Sequence, residues 1–172
     1  MAIVFASGTL SGPTKLLQAQ ETVISSQFTD SSSSNTWRSM SGFSRSITTI
    51  GSNSKLLITV NLGIVKPQGN TVGFKFQRNG SDVAIGNADG NRPRMMFRQT
   101  DQGTDTSHSD GISFSFMDQP GGGAGSSYTY QLYFYHENSG TLWVNRNQTY
   151  SNTSGAEQGV TTSTIQILEI AA

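Results

Sequence analysis

The sequence contains no cysteine. Disulfides and thiolate metal sites are therefore excluded, and stability must come from packing, strand hydrogen bonds and contacts between subunits. The 11 basic residues are balanced by 11 acidic ones, so the formal net charge is zero at pH 7. Because no overall field attracts nucleic acid or an anionic membrane, we expect neither as a partner.

Long apolar runs are also missing. No stretch approaches the ~20 residues that a membrane-spanning helix requires. The first residues, Met1 to Gly8, lack the basic region and the long apolar core of a signal peptide. We therefore expect a protein that is soluble when made and has no membrane span.

Catalytic and metal-binding motifs are scarce. The two histidines, His108 and His136, lack the neighbours that a metal-dependent cupin requires, and no nucleophile elbow or phosphate-binding glycine loop is present. We expect no enzyme, no cofactor and no metal. Two alternatives stay open: an ion held by His136 and its copies near a symmetry axis, and a hard cation held by the carboxylates between Asp101 and Gly111.

Aromatic residues are concentrated in one segment, Tyr128 to His136, where five of nine residues are Tyr or Phe. Such residues favour a strand, whose side chains alternate between two faces. One face carries Tyr128, Tyr130, Leu132, Phe134 and His136, and the other carries Thr129, Gln131, Tyr133 and Tyr135. Because both faces are aromatic, we expect the outward face to be buried by another copy of the chain.

Other segments alternate apolar and polar residues in the same way. They are 21–28, 43–50, 55–65, a hairpin at 72–85 that turns at Asn79-Gly80, 92–99, 112–116, 141–145 and 164–170. Together these segments predict an all-β fold, an antiparallel two-sheet sandwich of jelly-roll type with 8–10 strands. An immunoglobulin-like sandwich is the alternative. We expect one domain over residues 21–172, preceded by an N-terminal arm at 1–20 in which Pro13 opens a single helical turn.

Several of these blocks resemble small virion proteins of tailed bacteriophages. The resemblance spans roughly residues 21–172 and is carried by Ser113 to Pro120 with the small-residue loop that follows it, Tyr133 to Tyr135, Leu142 to Arg146, Ser163 to Ile170, and the hairpin Phe74 to Gly80 with Val83 to Gly86. These phage proteins are decoration or tail-fibre proteins similar to the trimeric jelly rolls of the tumour-necrosis-factor and complement-C1q type. The resemblance implies a homotrimer whose aromatic strands line the subunit contact, and it implies no catalytic residue.

Surface binding residues are suggested by arginine and tryptophan. Arg92, Arg94 and Arg98 share one face if their segment is extended, and their guanidinium groups suit carboxylates of a partner protein or of an acidic glycan. Trp143, like Trp37, suits stacking on a sugar. The alternative is that the arginines form ordinary surface ion pairs and the tryptophans fill the core or an interface.

The sequence therefore predicts a non-enzymatic, homotrimeric structural protein on the surface of a phage particle, either a capsid decoration protein or the head of a fibre. Its partners would be its own copies and other virion proteins such as capsid or tail, and the arm would be the tether. The alternative is a module of a tail fibre that binds a host receptor or glycan.

Overall fold

The structure is a computed structural model that describes residues 2–4, 15–31, 35–69, 71–100, 110–138, 140–148, 154–155 and 159–172. Within these ranges the chain forms twelve strands and no helix. The strands are β1 (Ala2–Val4), β2 (Leu16–Ile24), β3 (Phe28–Asp30), β4 (Trp37–Thr48), β5 (Lys55–Gln68), β6 (Val72–Arg78), β7 (Ser81–Val83), β8 (Phe97–Gln99), β9 (Asp110–Asp118), β10 (Ser127–His136), β11 (Thr141–Val144) and β12 (Ser163–Ile170). No helix in the described part of the chain is long and apolar enough to cross a membrane.

The first sheet, called sheet A, is built around β5. This strand pairs with β12 and β11 on one side and with β9 on the other, because Val65 is the partner of both Val144 and Asp110. Beyond β12 lie β2 and then β1, and beyond β11 lies β3. Thus β2 and β3 lie end to end in one row of the sheet, where a row is one strand position, and so do β11 and β12.

The second sheet, called sheet B, is built around β10. This strand pairs with β4 on one side and β6 on the other, and the far side of β6 pairs with β7 and β8. Every pairing in both sheets is antiparallel. The inner faces of the two sheets pack together, so the predicted all-β, two-sheet antiparallel sandwich is confirmed.

The core follows the alternation in the sequence. On β5 the buried apolar set is Leu56, Ile58, Val60 and Leu62, followed after a register shift by Val65, and β12 contributes Ile165 and Ile167. The hairpin prediction is also confirmed: Asn79 and Gly80 both have positive φ, as a type I′ turn requires, and Arg78 pairs with Ser81.

The predicted arm and its boundary do not match the strands. Residues 16–24 form one continuous strand, so the boundary between residues 20 and 21 falls inside β2. The predicted helical turn is wrong for Leu16 to Gln18, because these residues belong to β2, which pairs with β12. Pro13 lies outside the described residues. Deleting residues 1–20 would therefore remove β1 and half of β2.

Two further predictions need correction. The number of strands exceeds the predicted 8–10, because three rows of the sheets are each interrupted and count as two short strands. The segment 92–99 is a strand only at Phe97–Gln99. Pro93 has no N–H to donate to a neighbouring strand. The side chain of the next residue, Arg94, donates through Nε to the carbonyl of Gly86 at 2.7 Å.

Candidate functional site

The inward face of β10 belongs to the core of one chain. Tyr130 and Leu132 are 0% exposed and Phe134 is 1% exposed, while Tyr128 is half-buried and packs against the same core. Phe134 meets the ring of Phe28 edge to face, with centroids 5.7 Å apart. The predicted core role of these four residues therefore matches their positions, and this face cannot meet a second subunit.

The hydroxyl of Tyr130 is held at the edge of the core by a charged pair. It donates to Asp118 Oδ2 at 2.7 Å, and the guanidinium of Arg78 donates to both oxygens of the same carboxylate at 2.8 and 2.7 Å. Burial, together with the bond to Asp118, holds the pKa of Tyr130 far above its ordinary value. Burial alone would lower the pKa of Arg78, but the bond to Asp118 raises it. This cluster joins β6, β9 and β10 and has a structural role.

The outward face of β10 is partly covered by the chain itself. Trp37 packs against Tyr135 with ring centroids 5.4 Å apart, and the Nζ atom of Lys75 lies 4.6 Å from the centre of the Trp37 ring and 5.9 Å from that of Tyr133. Lys75 in turn forms an ion pair with Asp82 at 2.7 Å. Tyr133 and Tyr135 are half-buried without a second molecule, so the argument that only another copy could bury them no longer holds.

Trp143 is not available to a ligand. It lies on β11, between β3 and β5, where it is paired with Thr29 and Lys66, and only 9% of its surface is exposed. The prediction that Trp143 stacks on a sugar is therefore wrong. Its neighbours Leu142 and Val144 face the core, so alternation places Trp143 on the outer side of sheet A, where it is paired with the buried Lys66.

The three arginines do not act as one face. Arg92 and Arg98 both line a groove of about 350 Å³ on the outer side of sheet B. Arg94 points elsewhere, to the carbonyl of Gly86, because the segment is not part of a strand at that position. The other lining residues are Asn35, Thr71, Gly73, Pro93, Met95, Tyr135, Glu137 and Asn138. Sequence spacing identified two of the charged residues but not the groove, because its walls come from four separate segments.

His136 is buried inside one subunit. It is 3% exposed, its Nδ1 lies 3.1 Å from the carbonyl oxygen of Glu137, and Nε2 has no hydrogen-bond partner among the described residues. A Cβ atom added at Gly140 would lie 2.1 Å from the ring carbon Cε1, so the ring fills the space beside this glycine. His136 therefore cannot reach its copies at a symmetry axis, and the open alternative of a shared ion there is wrong.

The outer face of sheet A is the surface that sequence reasoning missed. Registers across β2, β12, β5 and β9 align three rows of side chains that point away from the core, and only Glu21 among them carries a charge. The rows are Ala19, Leu168, Leu57 and Met117; Glu21, Gln166, Thr59 and Ser115; and Val23, Thr164, Asn61 and Ser113. Met117 is 51% exposed and Val23 is 60% exposed. The alternating polar positions of these strands were visible in the sequence, but their alignment required the register.

No group of three His, Asp or Glu side chains in the described part of the chain could hold a metal ion. Most of the predicted cation loop from Asp101 to Gly111, including His108, lies outside the described residues. No known family model matches the sequence, and the comparison with curated proteins finds no match either.

Proposed function

We propose that the chain is a non-enzymatic structural protein that assembles as a homotrimer on the surface of a phage particle, with each subunit a jelly roll. With β1 set aside, the described part of the chain forms eight rows, because β2 and β3, β7 and β8, and β11 and β12 each share one. We number the rows in chain order. Across sheet A, from one edge to the other, they are rows one, eight, three and six, and across sheet B they are rows two, seven, four and five. A jelly roll wraps its strands in this order, so the order supports that form.

The subunit contact in this proposal is the outer face of sheet A, and this face is the observation that carries the trimer. The cores of subunit interfaces are depleted in charged residues. The three aligned rows on the outer face of sheet A carry one charge, Glu21, and the exposed Lys55 and the buried Lys66 lie beyond them on β5, whereas the outer face of sheet B carries Lys75, Asp82 and Arg98. Three copies of a face with few charges meet with little like-charge repulsion, and the exposed Met117 and the half-buried Leu57 on this face supply apolar area.

The test of the trimer compares variants on the two outer faces. Wild-type protein should sediment at three times the 18.4 kDa mass of the chain. Leu57→Lys places a charge in the middle of the sheet A face, and we expect it to sediment as a monomer with an unchanged circular dichroism spectrum. Tyr133→Lys is the matched control on sheet B, and we expect it to remain a trimer. A monomeric wild type, or a trimer that only Tyr133→Lys disrupts, would contradict the proposed contact.

The virion location is supported by the sequence resemblance of Ser113 to Pro120, Ser163 to Ile170 and the other blocks named above. Trimerisation suits such a role, because three weak attachments to the particle act together through avidity. Mass spectrometry and immunogold labelling of purified particles test the location directly. Stoichiometric recovery with particles is expected, and recovery only from the particle-free supernatant would count against it.

A further inference from the structure

The groove on the outer side of sheet B has a built apolar floor. Met96 N–H donates to the carbonyl of Phe74 at 2.8 Å, which fixes the segment before β8 against β6. The side chain of Met95 then lies directly on Gly73, where an added Cβ atom would approach Met95 Cε to 2.6 Å. Met95 can therefore pack directly against the backbone of β6 because residue 73 has no side chain. The resulting floor does not depend on a second molecule.

One wall of the groove presents fixed polar groups. Asn35 Oδ1 accepts from the hydroxyl of Tyr135 at 2.9 Å and from the N–H of Asn138 at 3.3 Å. Because the backbone N–H of Asn138 can only donate, the oxygen of the amide must point toward it, which leaves Asn35 Nδ2 available to a ligand. The Tyr135 ring is held by Trp37, so it offers a fixed aromatic edge. This wall suits hydroxyl groups and a sugar ring.

The charged residues of the groove favour an anion. Arg98 is exposed and donates to no carboxylate in the described part of the chain. Arg92 pairs with Asp89, but both side chains are largely exposed, so this pair is weak and a ligand can replace it. Glu137 also lines the groove, so two cations face one carboxylate, and a singly charged ligand matches better than a dianion. A guanidinium fork fits a carboxylate with two parallel hydrogen bonds.

We propose that this groove binds a saccharide that carries a carboxylate, such as a uronic or sialic acid. Arg98 holds the carboxylate with support from Arg92, Asn35 Nδ2 and Glu137 bind ring hydroxyls, and Tyr135 and Met95 contact the apolar side of a sugar ring. A volume of about 350 Å³ lies at the lower end of the range for small-molecule sites and has room for a mono- or disaccharide. This binding activity goes beyond the structural role proposed above and is independent of the sheet A contact.

The experiment measures binding of the methyl glycoside of galacturonic acid, 3′-sialyllactose and neutral controls to the full-length protein by calorimetry and saturation-transfer NMR. The methyl ester of each acid keeps its rings and hydroxyls but removes its charge, so it is the neutral control. We expect at least one acid to bind with a Kd of about 1 mM or tighter, and its neutral control to bind at least about tenfold more weakly. Added salt should weaken binding of the acid.

Arg98→Gln and Arg92→Gln test the assignment, with Arg94→Gln as the control from the same segment. We expect a loss of at least about tenfold in affinity for Arg98→Gln, a smaller loss for Arg92→Gln and a change within about twofold for Arg94→Gln. Circular dichroism and sedimentation should be the same for all four proteins, which separates loss of the sugar site from loss of the trimer. Equal binding of acid and ester, equal effects of Arg94→Gln and Arg98→Gln, tighter binding of sulfated lactose, or no saturable binding of either acid would overturn the proposal.

Discussion

The side-chain amide of Gln18 donates a hydrogen bond of 2.6 Å to the carboxylate of Glu169, although the two residues are 151 positions apart. The same carboxylate accepts from Ser54 Oγ at 2.7 Å and from the backbone N–H groups of Ile50 and Gly51 at 2.9 Å. Glu169 is 0% exposed. A buried carboxylate with this many donors links β2, β12 and the turn that follows β4, and thus closes one end of the sandwich.

Glu169→Gln should be strongly destabilising although it preserves the shape of the side chain. The new NH₂ group faces donors in place of an acceptor, so buried N–H and O–H groups lose their partner. We expect the free energy of unfolding to fall by about 2–4 kcal/mol, measured by urea denaturation at one fixed protein concentration. Asp89→Asn, in the exposed segment between β7 and β8, is the control and should change it by less than about 0.5 kcal/mol. Similar effects of the two substitutions would contradict the role of Glu169.

The contribution of Glu169 should depend on pH in a defined direction. Burial alone would raise its pKa, but the hydrogen bonds from Ser54, Gln18, Gly51 and Ile50 outweigh burial and hold the pKa below its ordinary value of 4.5. The unfolded chain therefore binds the proton more readily than the folded one. The stability difference between wild type and Glu169→Gln should be constant above pH 4.5 and shrink as the pH falls through the lowered pKa. Urea midpoints of both proteins across this range test it, and a difference that grows on acidification would contradict it.

The elements of the fold were predictable where alternation was regular. On β5 up to Leu62 and on β12, apolar residues at every second position faced the core as expected, and Asn79-Gly80 specified its own turn because both residues tolerate positive φ. The partners of the buried Glu169 were not predictable. Gln18 lies at the other end of the sequence, and nothing local indicates that it meets a carboxylate.

The surfaces were less predictable than the core, for a physical reason. Tyr133 and Tyr135 point outward as their spacing indicates, but Trp37 and Lys75 reach them from neighbouring strands, and strand pairing cannot be read from spacing alone. Asn145 gives a further case. Its positive φ and its hydrogen bonds to Ile24, Ser26 and Ser163 fix the end of β11, and only the folded chain brings these residues together.

Tyr130 and Asp118 should be energetically coupled. Tyr130→Phe removes only the hydroxyl, and we expect the free energy of unfolding to fall by about 1 kcal/mol because Asp118 loses one of its donors. Asp118→Asn should cost about 2 kcal/mol, since it also removes the charge that Arg78 contacts at 2.7 Å. In the double variant, the loss of unfolding free energy should be smaller than the sum of the two single losses by about 1 kcal/mol. Tyr133→Phe, on the opposite face of the same strand, is the control and should lie within about 0.5 kcal/mol of wild type. Additive costs in urea denaturation would show that the hydroxyl and the carboxylate act independently, which would contradict the cluster as the link between β9 and β10.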